Sequence, residues 1–412
     1  MVKDIRIEDY TYDLPDDRIA KYPLARRDDS QLLVYTETVG RKPFKDSFRN
    51  ITSHLPSDSI IVFNNTKVVP ARLFFKKETG SVIEIFCLEP YSPSDYQLIF
   101  AQTDSCIWKC MVGKLKRWKG ETIHVYIGQE AEASDLLRDM DLTATLLERD
   151  GNVCTVRFDW KSGCVFSDVM LACGRIPIPP YLKRETESID VERYQTYYAR
   201  KYGSVAAPTA GLHFAKEELD AIDAAGIQRE ELCLHVGAGT FLPVKSETIG
   251  DHMMHSEPFS VTRRLVKVLS EKGDKPLTAV GTTSTRCLES LYFIGVHCIE
   301  QGEPGYVEQW EPYREEGYDY TLKQACDAIL EYMDRNGLDV LFSRTRIIIV
   351  PGYEFRVLDY LVTNFHQPQS TLLLLIGAFV GDNWRDIYKF AMDNGFRFLS
   401  YGDSSLLQRI TK

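Results

Sequence analysis

Between Val68 and Trp160 apolar residues recur at every second position in short runs, a pattern that the flanking sequence does not share. The runs "RLFFKK", "VIEIFCLEP", "DYQLIFAQ", "ETIHVYIG" and "LTATLLERDGNVCTVRFDW" read as strands with one buried face. The last contains Asp150-Gly151, a hairpin turn signal. Several short strands at close spacing, with little helical pattern between them, predict a small closed β-barrel. The block sits inside the chain, so it is expected to be an inserted domain over residues 68–160, interrupting a second domain built from 1–67 and 161–412.

That second domain alternates helix and strand periods. "SIIVFNNTK" reads as a buried strand running into a turn, and "LPDDRIAKYP" as a short capped helix. "AKEELDAIDAAGI" predicts an amphipathic helix ending at Gly226, followed by the strand "EELCLHVGAGTF". "SVTRRLVKVLSEKGDKPLTAVGTTSTRCLESL" repeats the rhythm, and "RTRIIIVPGY" and "YLVTNFH" read as further buried strands. Alternation of this kind predicts an α/β domain around a largely parallel sheet. The fold class expected is therefore α/β, discontinuous, with an inserted β-barrel.

Composition narrows the function. No apolar run is long enough to cross a bilayer; "STLLLLIGAFVG" reads as a buried strand or helix. The acidic start "MVKDIRIEDYTYDLPDD" lacks a signal-peptide core, and the ten cysteines are scattered without any C-x-x-C. A cytoplasmic protein with reduced thiols is expected. The net charge of −10 argues against a general nucleic-acid coat. One ribbon runs against that charge: Lys109, Lys114, Lys116, Arg117 and Lys119, with Trp108 and Trp118 interleaved. It fits either a phosphate-gripping surface with stacking faces or a solvated hairpin anchored by two tryptophans.

Polar loops follow the predicted strands of the α/β domain, where ligands of such sheets collect. "VGTTSTRCLES" places Gly281, Thr282, Thr283, Ser284 and Thr285 at a helix start, with Arg286 able to clamp an anion. "HVGAGTFLPV" holds a lone G-x-G, Gly237 and Gly239. "HMMHSE" offers His252, His255 and Glu257, but not the H-E-x-x-H metal arrangement. "VTNFHQPQST" brings Asn364 and His366, and "NNTKVVPARL" brings Lys67 and Arg72. The stretch "SVAAPTAGLHF", with Thr209, Gly211 and His213, is small and nearly uncharged, as suits either a backbone pressed against a ligand or a turn packed under another element. Spacing alone names no reaction.

Taken together, "VFNNTKVVPARL", "RIPIPPYLKR", "SVAAPTAGLHF", "HVGAGTFLPV", "DHMMHSE", "VGTTSTRCLES", "PGYEFRVLDYLVTNFHQPQSTLLLL" and "FRFLSYGDSSLL" closely resemble the S-adenosylmethionine:tRNA ribosyltransferase-isomerase family. The resemblance runs in order from Asp9 to Leu407. It implies transfer and isomerisation of the ribosyl group of S-adenosylmethionine, the co-substrate, onto 7-aminomethyl-7-deazaguanine at the wobble position of tRNA. The product is epoxyqueuosine, with adenine and methionine released and no metal involved.

Within that reading the expected base is His213, followed by His366 and His255. Thr282, Thr283 and Arg286 are expected to hold the methionine carboxylate. Thr209, Gly211, Gly237, Gly239, Ser284 and Asn364 are expected to contact substrate. Lys67, Arg72, Lys114, Lys116 and Arg117 are expected to meet tRNA, and the protein is expected to act as a monomer away from membranes. Residues 295–342 are longer than the family pattern and read as an extra loop and amphipathic helix. A divergent enzyme with another amine acceptor, or a tRNA binder without catalysis, fits the same residues.

Overall fold

The computed structural model describes residues 2–126, 140–151, 153–237 and 246–410. A nine-stranded sheet forms its centre. From edge to edge the strands are Val340–Thr345, Glu257–Thr262, Gln228–Leu234, Ile60–Asn64, Leu277–Val280, Tyr360–Asn364, Ser404–Gln408, Gln31–Tyr35 and Phe44–Ser47. The middle four, from Gln228–Leu234 to Tyr360–Asn364, run parallel to one another. Antiparallel neighbours flank them, so the sheet is mixed rather than largely parallel. At one edge the reason is chain economy: Gln31–Tyr35 returns as Phe44–Ser47 through a short connection, and a hairpin needs no crossover helix.

Burial on both faces explains why the central strands are continuously apolar. Ile60 and Val62 join one core with Leu265, Leu291 and Ile329, while Ile61 and Phe63 join another with Ile51, Phe214 and Ile222. Leu361 and Val362 divide in the same way. The first layer is built by the helices Arg263–Glu271, Thr282–Gln301 and Leu322–Arg335, and the second by Ile51–His54 and Lys216–Ala224.

The period-two block closes into a six-stranded barrel whose strands lie between Arg72 and Asp159. Leu73, Phe75, Ile83, Ile85 and Phe158 fill it, and Phe166 and Met170 of the following helix pack into the same core. The hairpin at Asp150-Gly151 forms as its sequence predicts. "DYQLIFAQ", in contrast, is a helix, Tyr96–Phe100: the Asp95 carboxylate accepts from the Gln97 and Leu98 amides and starts a turn that a strand pattern alone does not reveal. Trp108 and Trp118 of the basic ribbon point into the barrel core and are not stacking faces.

Two further elements differ from expectation. "LPDDRIAKYP" makes a single 3-10 turn, Asp16–Arg18, because the residues after it bond to the chain at Phe398 instead of coiling on. "RTRIIIVPGY" is strand only to Thr345; the isoleucines that follow leave the sheet. The segment 295–342 opens inside the helix Thr282–Gln301, passes a 3-10 turn at Glu311–Tyr313 and the helix Leu322–Arg335, and ends in the edge strand. Among the described residues no helix is long and apolar enough to cross a membrane.

Several carboxylates tie distant segments together. Asp190 accepts from both arms of Arg184, from Tyr401 Oη and from the Glu187 amide. Burial pushes its carboxyl up, but these donors outweigh burial and hold it below its ordinary 3.8. Asp28, under Arg26 and Arg49, and Asp46, under His54 and Asn50, are held low in the same sense against burial. A depressed native pKa contributes stability above the unfolded value, and that contribution is lost as pH falls through the native one. Urea midpoints should therefore rise with pH, the carboxylates contributing up to roughly pH 5 and the buried His213 and His366, lowered to about 4 and 3, continuing the rise to roughly pH 6.5. Asp190→Asn should flatten that acid limb; an unchanged limb would contradict the assignment.

Candidate active site

Leu277–Val280 and Tyr360–Asn364 end at the same edge of the sheet, and the segments after them wall one cavity. After Val280 the chain turns at Gly281, whose φ of 90° is open to glycine and strained for other residues. The helix Thr282–Gln301 starts at once, with no side chain capping it. Its first amides have no intrahelical acceptor, and Gly281, Thr282 and Thr283 line the cavity. On the other side Phe365–Gln369 line it before Ser370 caps the helix Thr371–Val380.

Four buried polar atoms of cavity-lining residues are bonded to nothing among the described residues: Tyr194 Oη, Thr283 Oγ1, Arg286 Nη2 and Asn364 Oδ1. Leaving such an atom unsatisfied costs about 1–3 kcal/mol, so four on one cavity make it a candidate site for a polar ligand. Arg286 is already half engaged. Its Nη1 donates to the Glu257 carboxylate and its Nε to the Ile347 carbonyl at 3.1 Å. It presents one free edge to a ligand, not the bidentate clamp that its sequence position suggests.

The three expected histidines separate. His366 lines the cavity, its Nε2 2.9 Å from Thr363 Oγ1, its amide bonded to Tyr388 Oη and its carbonyl to Tyr12 Oη. Burial lowers its pKa to about 3. His255 also lines the cavity, on an exposed stretch, and its ring has no hydrogen-bond partner among the described residues. His213 does not reach the cavity. It lies behind Asn364, whose Nδ2 is 3.1 Å from His213 Nε2, and burial first, then Arg397 and Arg27, lower its pKa to about 4. A neutral His213 accepting from Nδ2 turns Asn364 Oδ1 away from it. The Leu399 and Asp403 carbonyls, 3.2 and 3.5 Å from the same Nδ2, hold the amide together with His213.

Other expected contacts resolve differently. Thr209 lines the cavity. Ser284 does not: its hydroxyl bonds back to the Val280 carbonyl at 2.7 Å inside the helix. Gly211 packs under Tyr198, and a Cβ there would lie 1.9 Å from Tyr198 Oη. The small uncharged stretch thus serves both purposes, with Ala206–Ala210 against the cavity and Gly211 under a tyrosine. Gly211→Ala should cost about 1–3 kcal/mol by overpacking, and Tyr198→Phe should recover part of it in a thermal melt. No recovery would mean that the Tyr198 hydroxyl is not what the Cβ meets.

Gly237 follows Val236 of the cavity wall, but nothing lies within 4 Å of a Cβ placed on it, and Gly239 falls outside the described residues. Lys67 sits 4.6 Å over the Tyr202 ring, and Arg72 pairs with Glu84 at 2.5 Å. Lys114, Lys116 and Arg117 are exposed between the strands Ser105–Val112 and Ile123–Val125. They occupy the barrel end near Lys77, away from the junction where Arg72 pairs with Arg175.

Sequence reading offers Glu257 but not its pairing with Arg286, and three isoleucines and Gln309 escape it. Glu257 neutralises Arg286, a pairing no local pattern reveals. Ile347, Ile348 and Ile349 line the cavity although they look like strand. Gln309, from the longer segment, donates to the His252 carbonyl at 2.7 Å and accepts from the Met254 amide at 2.9 Å, clasping the loop that carries His255. Among the described residues no group of three His, Cys, Asp or Glu is placed to hold a metal ion.

The same chain has close counterparts. A family described as "Queuosine biosynthesis protein" matches residues 7–407. An S-adenosylmethionine:tRNA ribosyltransferase-isomerase of Trichlorobacter lovleyi is 36% identical over 407 residues, covering 97% of this chain and 99% of the relative. One from Desulfitobacterium hafniense is 36% identical, covering 98% and 100%. A solved S-adenosylmethionine tRNA ribosyltransferase of Thermotoga maritima aligns at 25% identity with a TM-score of 0.45, over 97% of this chain and 99% of that one. Matched end to end by these relatives, the chain belongs to the S-adenosylmethionine:tRNA ribosyltransferase-isomerase family of queuosine biosynthesis.

Proposed function

We propose that the protein moves the ribosyl group of S-adenosylmethionine onto the aminomethyl group of 7-aminomethyl-7-deazaguanine in the tRNA wobble position and isomerises it. The product is epoxyqueuosine, and adenine and methionine leave. The observation that carries this reading is the meeting of Thr283 Oγ1, Arg286 Nη2 and Asn364 Oδ1 with His255 and His366 in one cavity of a family member.

The parts take distinct roles. The bare start of the helix Thr282–Gln301, Thr283 and the free edge of Arg286 suit a carboxylate such as that of methionine. The sulfonium acidifies the adjacent C5′ position, and removal of that proton starts ring opening and loss of adenine. The acceptor must be neutral yet basic enough to keep the proton. His213 and His366, lowered to about 4 and 3, meet the first condition and fail the second. His252 and His255 are the other histidines of the cavity; burial, then the neighbouring His255, lowers His252, and we assign the proton to His255, whose ring is exposed and unbonded among the described residues. His366 and Asn364 then hold the sugar.

We read the enzyme as cytoplasmic, in keeping with a tRNA substrate, and as a monomer. The barrel, read as an inserted unit over 68–160, offers Lys114, Lys116 and Arg117 to a part of the RNA remote from the cavity. Incubation with S-adenosylmethionine and tRNA bearing the deazaguanine, followed by nucleoside mass analysis, should show epoxyqueuosine and stoichiometric adenine. Adenine release with a free amine but not with the tRNA would favour the divergent-acceptor reading.

A further inference from the structure

Behind the cavity lies a shallow cleft lined by four arginines, Arg26, Arg27, Arg193 and Arg397, together with His213 and no carboxylate. Arg26 and Arg397 are neutralised by Asp28 and Asp403. Arg27 and Arg193 have no carboxylate partner among the described residues. Arg27 is spent on carbonyls, with Nη1 3.2 Å from Leu212 O and Nη2 3.0 Å from Glu192 O. Arg193 donates Nη1 to the Ala25 carbonyl, while its Nε is buried with no partner. Burial, then the charge of Arg193, disfavours the Arg27 cation, and the Glu192 carboxylate only partly offsets them. Two partly buried guanidiniums that repel each other, with a donor left over, form a site whose charge an anion would balance.

The position of the cleft suggests which anion. Ser400 lines both the cleft and the cavity, and the His213–Asn364 pair forms the wall between them. We propose that the Arg27–Arg193 cleft binds a backbone phosphodiester of the tRNA substrate, one side chain away from the cavity that receives its modified base. The inference rests on the tRNA reading above and adds a site to it. Arg72 is already neutralised by Glu84, whereas Arg27 and Arg193 have no carboxylate partner among the described residues.

The test is filter binding of the full-length enzyme to tRNA carrying the deazaguanine, over a salt series. Arg193→Gln should weaken binding about tenfold and reduce the log–log salt slope by about 1, while Arg193→Lys keeps the slope. Leu24→Glu, which sets a negative charge on the cleft wall without touching any arginine bond, should weaken binding as well if Arg193→Gln fails to fold. If the wild type binds tRNA and both Arg193→Gln and Leu24→Glu bind with its affinity and slope, the cleft proposal falls and the tRNA reading stands. If the wild type does not bind tRNA at all, the tRNA reading itself falls. If inorganic phosphate raises the melting temperature of the wild type but not of Arg193→Gln, while tRNA slopes are equal, the cleft serves a free phosphate and the RNA assignment is overturned.

Discussion

Replacing His255 by alanine is expected to lower adenine release by ~10²- to 10⁴-fold, the range over which a positioned general base acts. The substitution should leave the fold almost untouched. The His255 ring is bonded to nothing among the described residues, and surface changes of that kind usually move stability by less than about 0.5 kcal/mol. Because the residue is exposed, added imidazole should restore part of the rate to His255→Ala. His213→Ala offers the contrast. It removes a buried ring packed on Phe48 and one of three acceptors of Asn364 Nδ2, the Leu399 and Asp403 carbonyls remaining, so it should lower both stability and activity, and imidazole should not rescue it. Turnover of His255→Ala within threefold of wild type would remove this residue from the proton transfer.

The second large effect concerns the ion pair beneath the cavity. Glu257 and Arg286 are both buried, at 4% and 8% exposure, so water screens their contact little. Glu257→Ala leaves a guanidinium buried without its counter-charge, which should cost about 3–5 kcal/mol in a denaturant titration and abolish activity. The double variant Glu257→Leu with Arg286→Met replaces the pair by apolar volume and should regain most of that stability. It should remain inactive, because the free Nη2 edge is gone. A single variant costing under about 1 kcal/mol would show that solvent reaches the pair. A double variant no more stable than the single would show that the loss comes from shape and not from charge.

Much of the architecture was legible because it follows from burial. Period two marked the barrel strands, and the uninterrupted apolar runs "SIIVF" and "YLVTN" marked strands covered on both faces. Local competition hid the rest. Asp95 converts an alternating run into a helix by offering its carboxylate to two amides. Ile347–Ile349 have strand composition but are drawn out of the sheet to wall the cavity. The flanking strands pair by contacts between distant segments, which no window of sequence contains.

The site was half legible for a similar reason. Hydroxyls at a helix start announce an anion site, but Ser284 and Thr285 bond back to their own turn, while Thr283 keeps a buried oxygen without a partner among the described residues. His213 stands in a suitably small stretch, yet which face of that turn meets the cavity depends on Tyr198 and Asn364, far away in the chain. Gln309 belongs to the segment read only as an extra loop and helix, and it holds the loop of the proposed base.

A crystal structure with S-adenosylhomocysteine bound decides where the sulfonium nucleoside is read. The ligand carboxylate should lie within hydrogen-bond distance of Thr283 Oγ1 and Arg286 Nη2, with C5′ facing His255 and the ribose beside Asn364. Density instead between the barrel and the sheet, around Tyr96 and His235, would contradict the account at its root.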